Sequence, residues 1–302
     1  MKAGPTHRSN DFKGHVVLGV APYDCIVQTN ESRSPPPPAP SIHVGALLRK
    51  WRASRRLSQL DLALETGMST RHLSCVETGK AQPSRDLIGR LAEVLDMPLR
   101  ERNALLVAAG YAPMYRETSL SRPEMIPVQR AVNFILDHQE PYPAFVMNRY
   151  WDVLQTNRAL TQLIGAVRGG PPTHLNILRQ VFDPNDLRPF VVNWEEVAGD
   201  LIRHLHNDVA AAPSDAKSRE LLEEVLAYPD IPVRWRTREP GAAPLPMLTT
   251  IFRSANRELR FFSTITLFGT ARDVTIEELR IECMFPVDEE TAQVCRALSG
   301  QT

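Results

Sequence analysis

The segment from Leu57 to Pro83 constrains the fold more than any other part of the chain. It reads LSQLDLALETGMSTRHLSCVETGKAQP. Ser58 followed by Asp61 predicts a capping box at the start of a helix. Gly67 fits a tight turn, because glycine adopts a positive φ without steric cost, and Ser69 predicts the cap of a second helix. The pattern therefore predicts a helix, a short turn and a second helix.

The predicted second helix has an apolar side and a polar side. Leu73 and Val76 are expected to anchor it on the first helix, where the small Ala63 lets the two helices cross closely. The polar side would face outward, as in a helix that enters the major groove of DNA. Its members are the candidates for contacts with DNA bases: Thr70, Arg71, Ser74 and Cys75. Arg71 is the strongest candidate, because a guanidinium donates two hydrogen bonds to guanine.

Composition narrows the class of protein and its partners. The 302 residues carry 35 Lys and Arg against 35 Asp and Glu, so the net charge gives no sign of nucleic-acid binding. Locally, residues 49–56 include five basic residues and no acid, whereas the charged residues at 273–290 are mostly acidic. The cysteines lack C-x-x-C spacing, which predicts neither a zinc site nor a disulfide framework. Without a signal-peptide core or an apolar run near the ~20 residues that span a bilayer, we expect a cytoplasmic protein without membrane contact.

The helix-turn-helix segment resembles the Cro/C1-type DNA-binding domains of bacterial and phage repressors. The resemblance rests on SQ at 58–59, Ala63, Gly67, S-x-x-x-L-S at 69–74, E-x-G-K at 77–80 and Pro83. Downstream motifs extend it to the MmyB-like family of transcription regulators. They are EPYPAFVMNRYWDVLQTNRA at 140–159, LRPFVVNWEEVA at 187–198 and LRFFSTITLFGTARDVTIEELRIECMFPVDEET at 259–291.

This resemblance implies the domain organisation. An all-α lambda-repressor-like helix-turn-helix domain is expected at 42–115, followed by a linker at 116–126. An α+β PAS-like domain is expected at 127–295. Residues 1–41 end in a proline run that enforces polyproline II conformation, so we predict a disordered tail there.

The resemblance also implies how the chain would hold DNA. In related Cro/C1 domains a glutamine at the start of the second helix binds a phosphate, and here that position is Gln59. The other candidates for phosphate contacts are Lys80, Ser84, Arg85 and Arg55. Glu77 would be repelled by DNA, so we expect it to bond a backbone amide or an arginine instead. One such domain contacts only a half-site, and a double-stranded operator therefore implies a homodimer.

For the C-terminal domain, the resemblance implies a pocket for a small apolar ligand, which is fatty-acid-like in some family members. Eight residues are candidates for its wall: Phe145, Met147, Trp151, Val153, Trp194, Phe262, Thr264 and Phe268. An aromatic residue at strand spacing is more often part of a plain core. The pattern of alternation itself predicts late strands at Val233–Arg238, Met247–Arg253, Leu259–Phe268 and Leu279–Phe285.

The residue pattern leaves two other functions for the C-terminal domain. An enzyme finds little support, since there is no nucleotide-binding loop or nucleophile elbow, and we expect no cofactor and no metal. The best metal-like pair, His204 and Asp208, is a weak signal. A ligand-free module for dimerisation or docking is the stronger alternative, in which the acidic stretch would contact RNA polymerase or another protein.

Overall fold

The N-terminal part of the protein is a bundle of short helices. In the computed structural model, residues 43–212, 215–237 and 247–300 are described, so the predicted tail at 1–41 lies outside them. The helices are α1 (Val44–Ser54), α2 (Gln59–Thr66), α3 (Thr70–Glu77), α4 (Arg85–Val94) and α5 (Leu99–Ala108). Apolar residues on one side of each helix meet in a single core around Trp51, which is 2% exposed. The predicted all-α architecture of this part is confirmed.

Helix α1 packs very closely against the end of α3. A Cβ atom on Gly45 would lie 2.4 Å from the carbonyl oxygen of Val76 and 2.5 Å from that of Glu77. Both atoms belong to the backbone and cannot rotate away. Only glycine at position 45 therefore permits the close contact between α1 and the C-terminal end of α3.

The C-terminal part is an antiparallel sheet with helices packed on it. Its strands are β1 (Ala144–Met147), β2 (Val153–Thr156), β3 (Thr249–Ser254), β4 (Arg257–Thr266) and β5 (Arg280–Pro286), in the order β2-β1-β5-β4-β3. The helices are α6 (Ile126–Gln139), α7 (Arg158–Arg168), α8 (Ile177–Phe182), α9 (Trp194–Ala211), α10 (Ala216–Leu226), α11 (Val274–Glu277) and α12 (Glu289–Ser299). This arrangement confirms the predicted α+β, PAS-like class.

The sheet separates two cores. One face, which we call the inner face, carries Phe145, Phe261 and Met284 and belongs to the larger core together with α8, α9 and α10. The opposite or outer face carries Val146 and Ile281 and packs against α6. Because neighbouring residues of a strand point to opposite faces, the register assigns every sheet residue to one core or the other.

One predicted strand is wrong. Residues Val233–Arg236 of the expected strand Val233–Arg238 form a 3-10 helix, and Arg238 lies outside the described residues. The reason is the packing of Trp235, which is buried against α9 within 3.3 Å of the position of a Cβ on Gly199. Burial of one indole outweighs the weak β-propensity of a short segment.

Candidate DNA-binding surface and sensor core

The helix-turn-helix forms through the local interactions that its sequence predicts. The hydroxyl of Ser58 accepts from the amide of Asp61, whose carboxylate accepts in return from the amide of Ser58. Gly67 ends α2 at a φ of +67°. The hydroxyl of Ser69 accepts from the amide of His72 and caps α3. Each predicted signal is thus present where the sequence places it.

A buried carboxylate fixes α3 against the two preceding helices. The side chain of Glu77 is fully buried, and its carboxylate accepts from Arg52 Nε at 2.6 Å and Nη2 at 3.0 Å. Gln59 Nε2 donates to the same carboxylate at 2.8 Å, and Arg49 lies at 3.8 Å. Burial alone would raise the pKa of Glu77, but the hydrogen bonds from Arg52 and Gln59 hold this pKa below its ordinary value. The expectation of an arginine partner for Glu77 is confirmed.

The outward side of α3 holds the predicted base-contacting residues. Leu73 and Val76 are fully buried on the other side, as predicted. Arg71 is exposed, whereas Thr70, Ser74 and Cys75 are half-buried at the same surface.

Three exposed cations lie on or just beyond α3. They are Arg71, Lys80 and Arg85, and none of their side chains has a hydrogen bond or ion pair to another described residue. Ser84 caps α4 by accepting from the amide of Leu87 at 3.2 Å. Free positive charge at a helix N-terminus is the arrangement that suits a DNA phosphate.

Two of the predicted phosphate contacts have intramolecular roles. Arg55 donates to the carbonyl oxygens of Leu95 at 2.8 Å and Asp96 at 2.7 Å, and it lies over the ring of Trp51. It thus closes the end of α4, and we leave it out of the proposed interface. Gln59 uses one N–H on Glu77, which leaves its second N–H for a phosphate.

The basic run at residues 49–56 therefore has a largely structural explanation. Arg52 binds the carboxylate of Glu77, Arg49 donates to the backbone carbonyl of the same residue, and Arg55 binds the end of α4. The free cations of the surface come later in the chain, where the sequence shows no cluster of like charge. Charge density along the sequence therefore does not identify the residues available for phosphate.

Five of the eight predicted ligand-wall residues meet in the inner core. Phe145, Met147 and Trp151 are buried there, and Val153 and Trp194 pack against it. Trp194 belongs to an aromatic cluster with Phe182 and Trp235, and its indole N–H donates to the carbonyl oxygen of Val181 at 2.8 Å. These contacts make Trp194 a packing residue of the core.

The other three predicted wall residues lie on the outer side of the sheet. Phe262 stacks on Phe285 with ring centroids 5.2 Å apart, Thr264 pairs with Cys283, and Phe268 packs against the outer core. They cannot share a wall with the inner residues, so we correct the candidate ligand site by removing them. The side chains of β4 that face the inner core are those of the neighbouring positions, one residue away from the predicted ones.

One end of the inner face is exposed. Ser263 and Ile265 alternate with the outer residues of β4, so they belong to the inner face, yet both are exposed and Ile265 is 48% exposed. Glu282 pairs with Ile265 across the sheet. Burial raises the pKa of the Glu282 carboxyl, against the opposing hydrogen bond from Ser263. The uncovered end therefore combines an apolar side chain with polar groups.

A polar cluster connects α9 to the sheet beside this end. The carboxylate of Asp208 accepts from Arg280 Nη2 at 2.8 Å and Nη1 at 3.0 Å, and from the indole N–H of Trp151 at 3.1 Å. His204, the other member of the weak metal-like pair, lies 3.5 Å from Asp200. No group of three or more metal-ligating side chains occurs among the described residues.

Sequence reasoning missed the contacts between the two parts of the chain. Arg100 at the start of α5 forms ion pairs with Glu278, which follows α11, and with Glu117. Arg149 donates to the same Glu278 at 3.0 Å. Arg100 and Glu278 are 178 positions apart, so no local pattern could have identified the pair.

Comparisons with known proteins identify a family for each half of the chain. Residues 43–105 match the family model of a helix-turn-helix domain, and residues 128–298 match that of the MmyB-like transcription regulator ligand binding domain. Neither is an enzyme family. No curated relative matches the sequence. Within the described part of the chain, no helix has the length and apolar character needed to cross a membrane.

Among solved structures, an RNA-binding light-oxygen-voltage receptor is similar at 12% identity and a TM-score of 0.22. The match covers 85% of this chain and 62% of that chain, so the protein spans less than two thirds of the receptor's length. A TM-score this low supports no structural or functional argument.

Proposed function

Because the chain belongs to the MmyB-like family of transcription regulators, we propose that it is a dimeric, sequence-specific DNA-binding regulator whose PAS-like domain senses a small apolar ligand. The observation that carries the DNA-binding part is Arg71 on the outward side of α3, which is exposed and has no partner among the described residues. The helix itself is held by the buried Glu77, so the arginine is presented from a fixed position. A rigid helix with a free guanidinium suits recognition of a base edge.

Phosphate contacts would come from the surroundings of α3. Lys80 and Arg85 are exposed without intramolecular partners among the described residues, and Gln59 keeps a free N–H. These groups carry no sequence information, but they would orient α3 on the duplex. We expect a dimer because one helix-turn-helix domain contacts only a half-site in the major groove. The two half-sites would lie about one helical turn apart.

Loss of the Arg71 side chain is expected to weaken and relax operator recognition. The operator would first be selected from random double-stranded DNA with the wild-type protein. Arg71→Ala should then reduce affinity for that operator by about 1–3 kcal/mol and broaden the preference at one position. Fluorescence anisotropy measures both effects.

The matched control is Arg122→Ala, which removes the same charge from an exposed position in the linker segment. It should leave affinity and preference within about 0.5 kcal/mol. Lys80→Ala should weaken binding to every sequence alike. It should also reduce the slope of log affinity against log salt concentration by about one, the value for one phosphate contact. Unchanged binding by Arg71→Ala would exclude the proposed base contact.

The sensing part of the proposal is supported by the uncovered end of the inner face. Ile265 presents apolar surface on a side of the sheet that is elsewhere buried, and Ser263 and Glu282 place polar groups beside it. A ligand with an apolar body and a hydrogen-bonding end would cover both. The five inner residues from Phe145 to Trp194 form the surrounding core.

Native mass spectrometry of the purified protein, followed by denaturing extraction, tests the sensing part. We expect a small apolar molecule at up to one copy per chain. If nothing is extracted, and straight-chain saturated fatty acids added as probes do not change the melting temperature, the C-terminal domain is a ligand-free module.

The first part of the acidic stretch does not support the docking alternative. Asp273, Glu277 and Glu278 all accept hydrogen bonds from the chain's own Thr118, Leu99 and Arg100. They are therefore not free to bind RNA polymerase in this arrangement. We accordingly favour the ligand sensor.

A further inference from the structure

A short acidic segment between β4 and β5 contacts the DNA-binding domain. Glu277 accepts from the amide of Leu99 at 2.8 Å, and so caps α5 of the DNA-binding domain from the sensor side. Asp273 accepts from the hydroxyl of Thr118 at 2.6 Å, where the linker passes. The segment thus binds both the last helix of the DNA-binding domain and the linker that follows it.

Glu278 of this segment is shared between the two domains. Its Oε1 accepts from Arg100 Nε at 2.7 Å and from Arg149 Nη1 at 3.0 Å, and its Oε2 accepts from Arg100 Nη2 at 3.0 Å. The three side chains are 13%, 27% and 11% exposed for Glu278, Arg100 and Arg149. At this degree of burial the pairing is only partly screened by solvent.

Each arginine also has a second carboxylate within reach. Arg100 pairs with Glu117 in the linker, and Arg149 donates to Asp215 at 2.9 Å. Either arginine could therefore leave Glu278 without losing all of its charge compensation. Glu278 can therefore be bound by both arginines or by one of them alone. Two discrete arrangements of this kind are what a switch requires.

Arg149 is also close to the core of the sensor. It belongs to the turn between β1 and β2, two residues before Trp151, whose backbone is held at a φ of +66°. Trp151 is 2% exposed, and its indole N–H bonds Asp208. A positive φ is unfavourable for tryptophan, so the turn keeps this shape only while its buried contacts hold it.

We propose that Glu278 transmits the state of the sensor core to the DNA-binding domain. A ligand that displaces the Trp151 indole relaxes the turn and draws Arg149 away from Glu278, so that Arg149 keeps only its bond to Asp215. The weaker contact between Arg149 and Glu278 then alters the contact between Glu278 and Arg100. The position of α5 changes as a result. This inference rests on the proposed sensing function, but the bridge itself can be tested without any ligand.

Hydrogen–deuterium exchange of the full-length protein measures the bridge directly. The reporter is exchange of the first turn of α5, which contains the Leu99 amide. Glu278→Gln should accelerate it by about tenfold or more, because bonds between charged groups are lost. Glu117→Gln is the matched control, since it removes a carboxylate from the same Arg100 in the exposed linker. It should change the exchange by less than about fivefold.

Coupling to the sensor core is tested by Trp151→Phe, which keeps an aromatic ring but removes the donor to Asp208. This variant should change exchange in the first turn of α5 when Glu278 is present and have no further effect in the Glu278→Gln background. If the two effects simply add, or if Trp151→Phe leaves α5 unchanged, Glu278 does not transmit the signal. Should Trp151→Phe fail to fold, Asp208→Ala removes the acceptor of the same bond and decides the question.

These outcomes are separable from those of the proposed function. A protein that selects no DNA sequence and binds no ligand would end the proposed function, whatever its exchange pattern. A protein that selects an operator but shows additive exchange effects would retain that function and lose only the Glu278 coupling.

Discussion

Glu77→Gln is expected to lower the free energy of unfolding of the DNA-binding domain by about 3–5 kcal/mol, the usual effect of removing one partner of a buried ion pair. Glutamine has nearly the same shape but no charge, so Arg52, which is 15% exposed, would remain buried without its counter-ion. The amide would also place a donor against Gln59 Nε2 or Arg52. Urea denaturation followed by circular dichroism measures the loss.

The matched control is Glu65→Gln on α2. Glu65 is exposed and has no ion pair or hydrogen bond to another described residue, so we expect a change within about 0.5 kcal/mol. Equal stabilities of the two variants would contradict the structural role of the buried carboxylate.

The same carboxylate predicts a direction for the pH dependence. Burial opposes ionisation, but the bonds from Arg52 and Gln59 hold the pKa of Glu77 below its ordinary value. A lowered folded-state pKa stabilises the protein above the unfolded-state pKa of about 4.3. This contribution is lost as the pH falls through the folded-state pKa. Wild-type stability should therefore decrease more steeply in acid than that of Glu77→Gln.

Phe182→Ala is expected to lower the free energy of unfolding of the C-terminal domain by about 3–5 kcal/mol. The ring is fully buried and makes edge contacts with Trp194 and Trp235, at centroid distances of 6.1 and 6.3 Å. Its removal leaves a cavity beneath the indole of Trp194. Urea denaturation followed by tryptophan fluorescence measures the change, since both indoles border the cavity.

Phe134→Ala makes the same chemical change on the surface, where the ring is 62% exposed. It should cost less than about 1 kcal/mol, so a similar loss in both variants would show that the aromatic cluster does not anchor the core. The Phe182 variant also tests whether Trp194 is a packing residue. If it is, the tryptophan fluorescence of the folded protein should change with Phe182→Ala.

The elements that the sequence predicted well are those whose determinants are local. The capping box of Ser58 and Asp61, the positive φ of Gly67 and the cap at Ser69 each depend on residues at most three positions apart. Their hydrogen bonds form within one helical turn, so the pattern of residue types is sufficient. The burial of Leu73 and Val76 follows equally from helical spacing.

The predictions that failed depend on packing between distant segments. The strand expected at Val233–Arg238 is displaced by the burial of Trp235 against α9. The ligand wall was divided between two faces of the sheet, because alternation gives the period of β4 but not which side is inside. Only the register, with Phe262 opposite Phe285 and Ser263 opposite Met284, decides that.

The sequence by itself determined a helix-turn-helix followed by an α+β domain, and with Arg71 it placed a candidate for base recognition on the outward side of α3. Tertiary structure alone decided which charges are free to bind DNA. Arg49, Arg52 and Arg55 belong to a basic run in the sequence, yet all three bind acceptors within the fold. Arg100 and Glu278 meet although 178 positions separate them. The physical reason is that a charged side chain is available to DNA only if no acceptor of the fold lies within bonding distance. Those distances are set by the packing of segments that are far apart in the sequence.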